Sequence, residues 1–210
     1  MLAFVLLTSD AKTAPLSEGE LKNLLAAIRQ NRTTQADFHE ERLIRLMKKP
    51  VVSSGTVSFQ PPNKFRREVK GNSPSMTVSN GRELWIYYPN FKSAERYPLG
   101  KGSPLDATAA AINSALNLEN IESSFNITAT KSDNGHELQL LPRTASMKRV
   151  FQKLDLRINA DFRVERTDML LPNRDRIVTT YSNQKRAATP ASTFEFKPPA
   201  GTEVTTPLGQ

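Results

Sequence analysis

The stretch GTVSFQPPNKFRREVKGNSPSMTVSNGRELWIYY, residues 55–88, decides the fold. Within it Val57 and Phe59, Phe65 and Val69, Met76 and Val78, and Leu84 and Ile86 recur on alternate positions. A period of two belongs to a strand buried on one face, because successive side chains point to opposite sides of the pleat. Asn80-Gly81, between the last two runs, suits the positive φ values of a tight hairpin turn. The pattern predicts four antiparallel strands in a meander, with these eight apolar side chains on one inner face.

Upstream, Ser17-Glu-Gly-Glu20 reads as a capping box, and Leu16 with Leu21 as a hydrophobic staple. Leu21, Leu24, Leu25 and Ile28 then follow at helical spacing, so a packing helix is expected from Ser17 to Gln30, with its end at Asn31. Downstream, Ser103-Pro104-Leu-Asp106 is a second helix start, with Ser103 as N-cap and Pro104 in the first turn. Leu105, Ala109, Ile112 and Leu116 give it an apolar stripe, while Ala107 to Ala111 are mostly small. Such a thin face suits a movable lid as well as an ordinary crossover helix, and Leu105, Ile112 and Leu116 would be its packing residues.

From Phe125 the alternation returns, with strands expected at Phe125 to Thr130, His136 to Leu141, Phe151 to Asn159, Phe162 to Leu171, Ile177 to Asn183 and Phe194 to Lys197. Leu154, Leu156 and Ile158 would join the inner face. About eleven strands and two main helices make a mainly β (α+β) chain, and no break in composition divides residues 16–210 into two domains. Residues 1–15, with the apolar run Leu2 to Leu7 and small residues near Ser9 and Ala11, read as the remnant of a signal peptide or as a flexible N-terminus.

Composition narrows the chemistry. The 210 residues contain no cysteine, which excludes disulfides, thiolate metal sites and cysteine-linked lipid anchors. The two histidines, His39 and His136, have no second ligand at metal spacing, so no metal site is expected. There is no nucleophile elbow, phosphate-binding loop or dinucleotide fingerprint, and the chain reads as a non-enzyme without a cofactor.

Twenty-nine basic against 21 acidic residues give a net charge of +8, which favours acidic partners. The basic clusters Lys64, Arg66, Arg67, Lys70 and Lys148, Arg149, Lys153 include only two rings, Phe65 and Phe151, too few for a base-stacking platform. The expected use of the charge is transient approach to an anionic membrane surface or an acidic protein face, not to nucleic acid. The oily inner face then has two readings: a filled core, or a cavity lined for an apolar ligand.

Four pieces in order resemble the periplasmic lipoprotein carrier family LolA. They are Ser54-Gly55-Thr-Val-Ser-Phe59, Pro62-Asn63-Lys64-Phe65, Val78-Ser-Asn-Gly81-Arg-Glu-Leu84-Trp85-Ile-Tyr87-Tyr-Pro89, and Phe194-Glu-Phe196-Lys-Pro198-Pro199-Ala-Gly201. The resemblance spans about residues 16–205 and implies an incomplete, unclosed antiparallel β-barrel with an α-helical lid. It implies a soluble monomer in the periplasm of a Gram-negative bacterium that shelters the acyl chains of lipoproteins on their way from inner to outer membrane.

Its partners would be acylated lipoprotein cargo, an inner-membrane release complex and an outer-membrane acceptor. Cargo would lie against Phe59, Phe65, Val69, Met76, Val78, Leu84 and Ile86. A free lipid, a glycolipid or another amphiphile is the alternative cargo, and a sensing or interaction module with a filled barrel is the alternative role. One departure stands out: Pro61 occupies the place where the family has an arginine that ties wall to lid. Arg67, of the same strand parity as Phe65 and Val69, is the expected replacement latch, and a charge on that face requires a partner.

Overall fold

The computed structural model describes residues 14–99 and 121–207. The expected second helix, with Leu105, Ile112 and Leu116, lies outside the described residues. Twelve strands form one sheet: β1 (Gln35–Leu43), β2 (Val51–Gln60), β3 (Lys64–Lys70), β4 (Ser75–Asn80), β5 (Glu83–Tyr88), β6 (Ser93–Pro98), β7 (Phe125–Ser132), β8 (Gly135–Pro142), β9 (Lys153–Asn159), β10 (Val164–Leu170), β11 (Arg176–Lys185) and β12 (Glu203–Thr205). Their order is β12-β6-β5-β4-β3-β2-β1-β11-β10-β9-β8-β7, so β12 and β7 are the outermost strands, do not pair with each other, and the barrel is unclosed.

All neighbours are antiparallel except β12, which runs parallel to β6 over three residues. The meander expected over residues 55–88 is present and extends from β1 to β6. Because each strand reverses, the β1–β2, β3–β4, β5–β6 and β10–β11 connections share one end of the barrel.

Helix α1 (Glu18–Gln30) begins as the capping box requires. The Ser17 N–H donates to Glu20 Oε2 at 2.9 Å, and the Glu20 N–H donates to Ser17 Oγ at 3.4 Å. Leu16 donates its N–H to the Ala129 carbonyl at 2.8 Å, which pins the helix entry to β7. Leu24, Leu25 and Ile28 are buried. Each contributes about 1.5–3 kcal/mol, so tertiary packing outweighs the cap in holding the helix. Ser17→Ala is expected to lower stability by about 1 kcal/mol in urea denaturation, and an unchanged midpoint would show the cap to be idle.

The three α1 side chains enter a core with Ile121, Phe125, Leu138, Leu140, Phe151, Leu154, Leu156 and Ile158. Two short helices not anticipated from sequence, α2 (Ile121–Ser124) and α3 (Ala145–Val150), close its margins. Thr144 caps α3 by accepting from the Met147 N–H at 3.3 Å.

The strand expected at Phe194 to Lys197 is instead a 3-10 turn, Ala191–Phe194, followed by irregular chain. Pro190, Pro198 and Pro199 flank it and lack the N–H a ladder needs. Phe194 is nevertheless fully buried, because this segment packs on the outer surface of the sheet.

Candidate functional site

The pairing register assigns each side chain of the β1–β6 wall to a face. Residues directly opposite one another share a face, so Phe59, Phe65, Ser79, Leu84 and Tyr97 form one inner row across β2–β6. Val57, Arg67, Thr77, Ile86 and Glu95 form the next, and Phe38, Gly55, Val69 and Ser75 the third. Phe38, Val57, Phe59, Phe65 and Leu84 are buried together, with Val69, Tyr97 and Tyr181 packed at the margin. Of the seven expected lining residues, Phe59, Phe65, Val69, Leu84 and Ile86 therefore share the inner face.

Met76 and Val78 do not. Met76 stands between Glu68 and Tyr87, and Val78 between Arg66 and Trp85, on the outer face. In β4 the inward positions are Ser75, Thr77 and Ser79, so its apolar alternation belongs to the opposite side. The outer side of this wall has its own apolar cover. The Phe196 ring centroid lies 5.5 Å from that of Trp85, edge to face, and 5.4 Å from that of Tyr87. Val78, Ala94 and Phe194 are buried on or beside that outer layer.

Arg67 lies on the inner face, as its parity requires, and has found a carboxylate. One terminal nitrogen lies 3.0 Å from Glu40 Oε2. The contact is an ion pair without hydrogen-bond alignment. The guanidinium also sits 4.2 Å above the centre of the Phe38 ring, a cation–π contact. Glu40 in turn accepts from Thr179 Oγ1 at 3.3 Å. At the far side of the face, the Tyr97 hydroxyl donates to Glu95 at 2.5 Å. The inner wall is thus apolar at its centre, and Arg67 on it is paired with Glu40.

Burial, then the bond to Glu95, pushes the Tyr97 phenol up to about 12. Burial above all pushes Tyr181 up to about 12, with the Glu40 charge adding to it. An unfolded chain ionises its tyrosines near 10. The stability these two phenols lend is therefore complete below about pH 10 and is lost as pH rises to about 12. In a phenolate absorbance titration Tyr97 and Tyr181 should ionise near pH 12. Ionisation of these two near pH 10 would overturn this assignment.

Coverage of the inner face is uneven. Where the end of α1 meets the wall, Ile28, Ala36, Phe59 and Tyr181 leave a space of only about 30 Å³, the size of one water. Val69, Thr77, Ile86 and Tyr88 are only half buried. Among the described residues, the helices pack into the core beneath β7–β10, away from these four. A larger hollow of about 450 Å³ lies over β7–β10, with Gln139, Asp155, Arg157 and Asp168 on its walls. Those residues belong to the outer rows, and their charges make it unsuitable for an oily guest. Among the described residues no three metal-ligating side chains gather.

Fold and face together define an unclosed antiparallel β-barrel whose inner face is apolar, with one half of it, among the described residues, covered by helix. The chain belongs to the family described as outer membrane lipoprotein carrier protein LolA, whose model matches residues 29–197. It is 26% identical over 189 residues to the outer-membrane lipoprotein carrier protein of Dechloromonas aromatica (strain RCB), covering 89% of this chain and 87% of that one. It is 31% identical over 153 residues to the protein so named in Methylibium petroleiphilum, covering 72% of each. A solved structure of an uncharacterized conserved protein from Thermus thermophilus shares the fold: the TM-score is 0.54 at 16% identity, over 89% of this chain and 99% of that one.

Proposed function

We propose that the chain carries acylated lipoproteins through the periplasm, from an inner-membrane release complex to an outer-membrane acceptor. The observation that supports it is the half-open inner wall. Phe59, Phe65 and Leu84 form a buried apolar floor, and Val69 and Ile86 beside them are only half covered. Each buried methylene of an acyl chain is worth about 0.8 kcal/mol, so an apolar wall of this kind can stand in for the membrane interior. The role requires reversible burial and no bond made or broken, consistent with a non-enzyme.

Arg67 is held by Glu40 and Phe38 within the wall. As the latch of this carrier it would exchange the Glu40 carboxylate for a lid carbonyl or a cargo headgroup. The deciding experiment is mass spectrometry of the protein purified from a native periplasm. Acylated protein in the complex supports the proposal. Free lipid or glycolipid alone would replace the cargo, and a ligand-free protein that takes up neither would end the carrier reading.

A further inference from the structure

The β1–β2 connection is unlike the other turns of the barrel. From Arg42 to Val52 the chain reads Arg-Leu-Ile-Arg-Leu-Met-Lys-Lys-Pro-Val-Val, with four cations, six large apolar residues and no acid. A soluble turn normally turns its apolar residues inward. Here Leu46 is 92% exposed and Met47 more than half exposed. Val51 and Val52 point to opposite faces of β2 and are both exposed, so no one face of the hairpin is shielded.

The tip also projects. The ladder between β2 and β3 ends at Ser54 and Lys70, so β2 runs on past it as far as Val51. Its base is firm, because the Arg45 N–H donates to the buried Asp175 carboxylate at 3.0 Å. An oily tip on an anchored stem is a built feature, not a frayed loop.

A second observation comes from the same end of the barrel. The β5–β6 turn, three strands along from β2, carries Phe91, 80% exposed, followed by Lys92 in a left-handed conformation. Asn90 Nδ2 donates to the Asn72 carbonyl at 2.9 Å and ties this turn to the β3–β4 turn. Thus one rim presents two apolar projections, Leu46 with Met47 and Phe91, each beside exposed lysines. Apolar side chains that enter an acyl layer while lysines stay at the headgroups are the chemistry of an anionic bilayer surface.

We infer that this rim docks the protein on anionic lipid, with the β1–β2 tip as the inserted element and Phe91 as a second contact. The inference rests on the carrier reading for its biological purpose, since it would bring the chain to both membranes it must serve. A neutral surface would lack the attraction to four cations. A second copy of this chain would bring four like charges to the contact.

The test is co-sedimentation of cargo-free protein with vesicles of phosphatidylcholine, alone or with added phosphatidylglycerol. The wild type should bind the anionic vesicles, weaken as salt rises, and leave the neutral ones. Lys48→Gln with Lys49→Gln should reduce binding by about tenfold or more. Leu46→Asp with Met47→Asp should reduce it by a similar factor, while the thermal midpoint stays near that of the wild type, since both side chains are mostly exposed. Phe91→Asp gives a smaller loss.

Wild-type protein that ignores anionic vesicles, or tip variants that bind as well as the wild type, would overturn the inference. A dimer in solution that Leu46→Asp dissolves would also overturn it and assign the tip to a second copy. Vesicle binding is read without cargo, so its failure leaves the carrier reading standing. Failure to find acyl cargo, conversely, leaves vesicle binding untouched.

Discussion

Gly55→Ala is expected to destabilise the protein by at least about 3 kcal/mol, although a glycine-to-alanine change in compatible backbone usually stabilises by about 0.4–1 kcal/mol. A Cβ built on Gly55 would lie 1.7 Å from the Glu68 carbonyl oxygen and 2.9 Å from a ring carbon of Phe38. The first neighbour is backbone in the adjacent strand and cannot rotate away. Relief requires β2 and β3 to part near the end of their ladder, beside Val69 on the inner face. The check is the urea midpoint of Gly55→Ala beside Gly19→Ala, where a Cβ meets nothing within 4 Å. Equal midpoints for the two would disprove the close approach.

The second large effect concerns cargo and not stability. Val69→Asp with Ile86→Asp places two carboxylates on the half-covered part of the inner face, where water still reaches them in the empty protein. Folding should survive. An acyl chain laid over them would strip that water without offering a hydrogen bond, at a cost of several kcal/mol. Acyl ligand recovered with the purified double variant should fall by tenfold or more. Met76→Asp, on the outer face of the neighbouring strand, should keep its cargo. Loss of cargo in Met76→Asp, or full retention in the double variant, would contradict the assignment of faces.

That contrast marks the boundary of what could be read before the structure. The alternation of Val57 with Phe59 and of Leu84 with Ile86 gives strands, and Asn80-Gly81 joins two of them. Ser17 and Glu20 define a helix start that the structure matches bond for bond. Alternation yields a period, however, and not a sign. It could not tell which side of β4 faces inward, because the cue for Met76 and Val78 is the layer built by Phe194 and Phe196, more than 100 residues later in the chain.

The parity of Arg67 with Phe65 was legible and holds. Its partner was not, since Glu40 is brought to it only by the combined register of β1, β2 and β3. The three-residue β12 and the six-residue α3 are too short for any period to show. The β1–β2 tip was written plainly in residues 42–52, but its apolar residues alternate with nothing, so they carry meaning only once they are seen to be exposed.

An unclosed sheet has a hazard that a sealed barrel avoids. Two rows of unspent backbone donors and acceptors invite other chains to add strands. Here short flanking segments act as stoppers. At one margin Pro15 bridges to Thr130 and Leu16 bonds Ala129, occupying part of β7 with chain that offers no long ladder of its own. At the other, β12 covers the Ser93–Glu95 half of β6 in parallel and offers only three residues of its own to an incoming strand. Each margin of the seam is thus shortened by a segment laid against part of it.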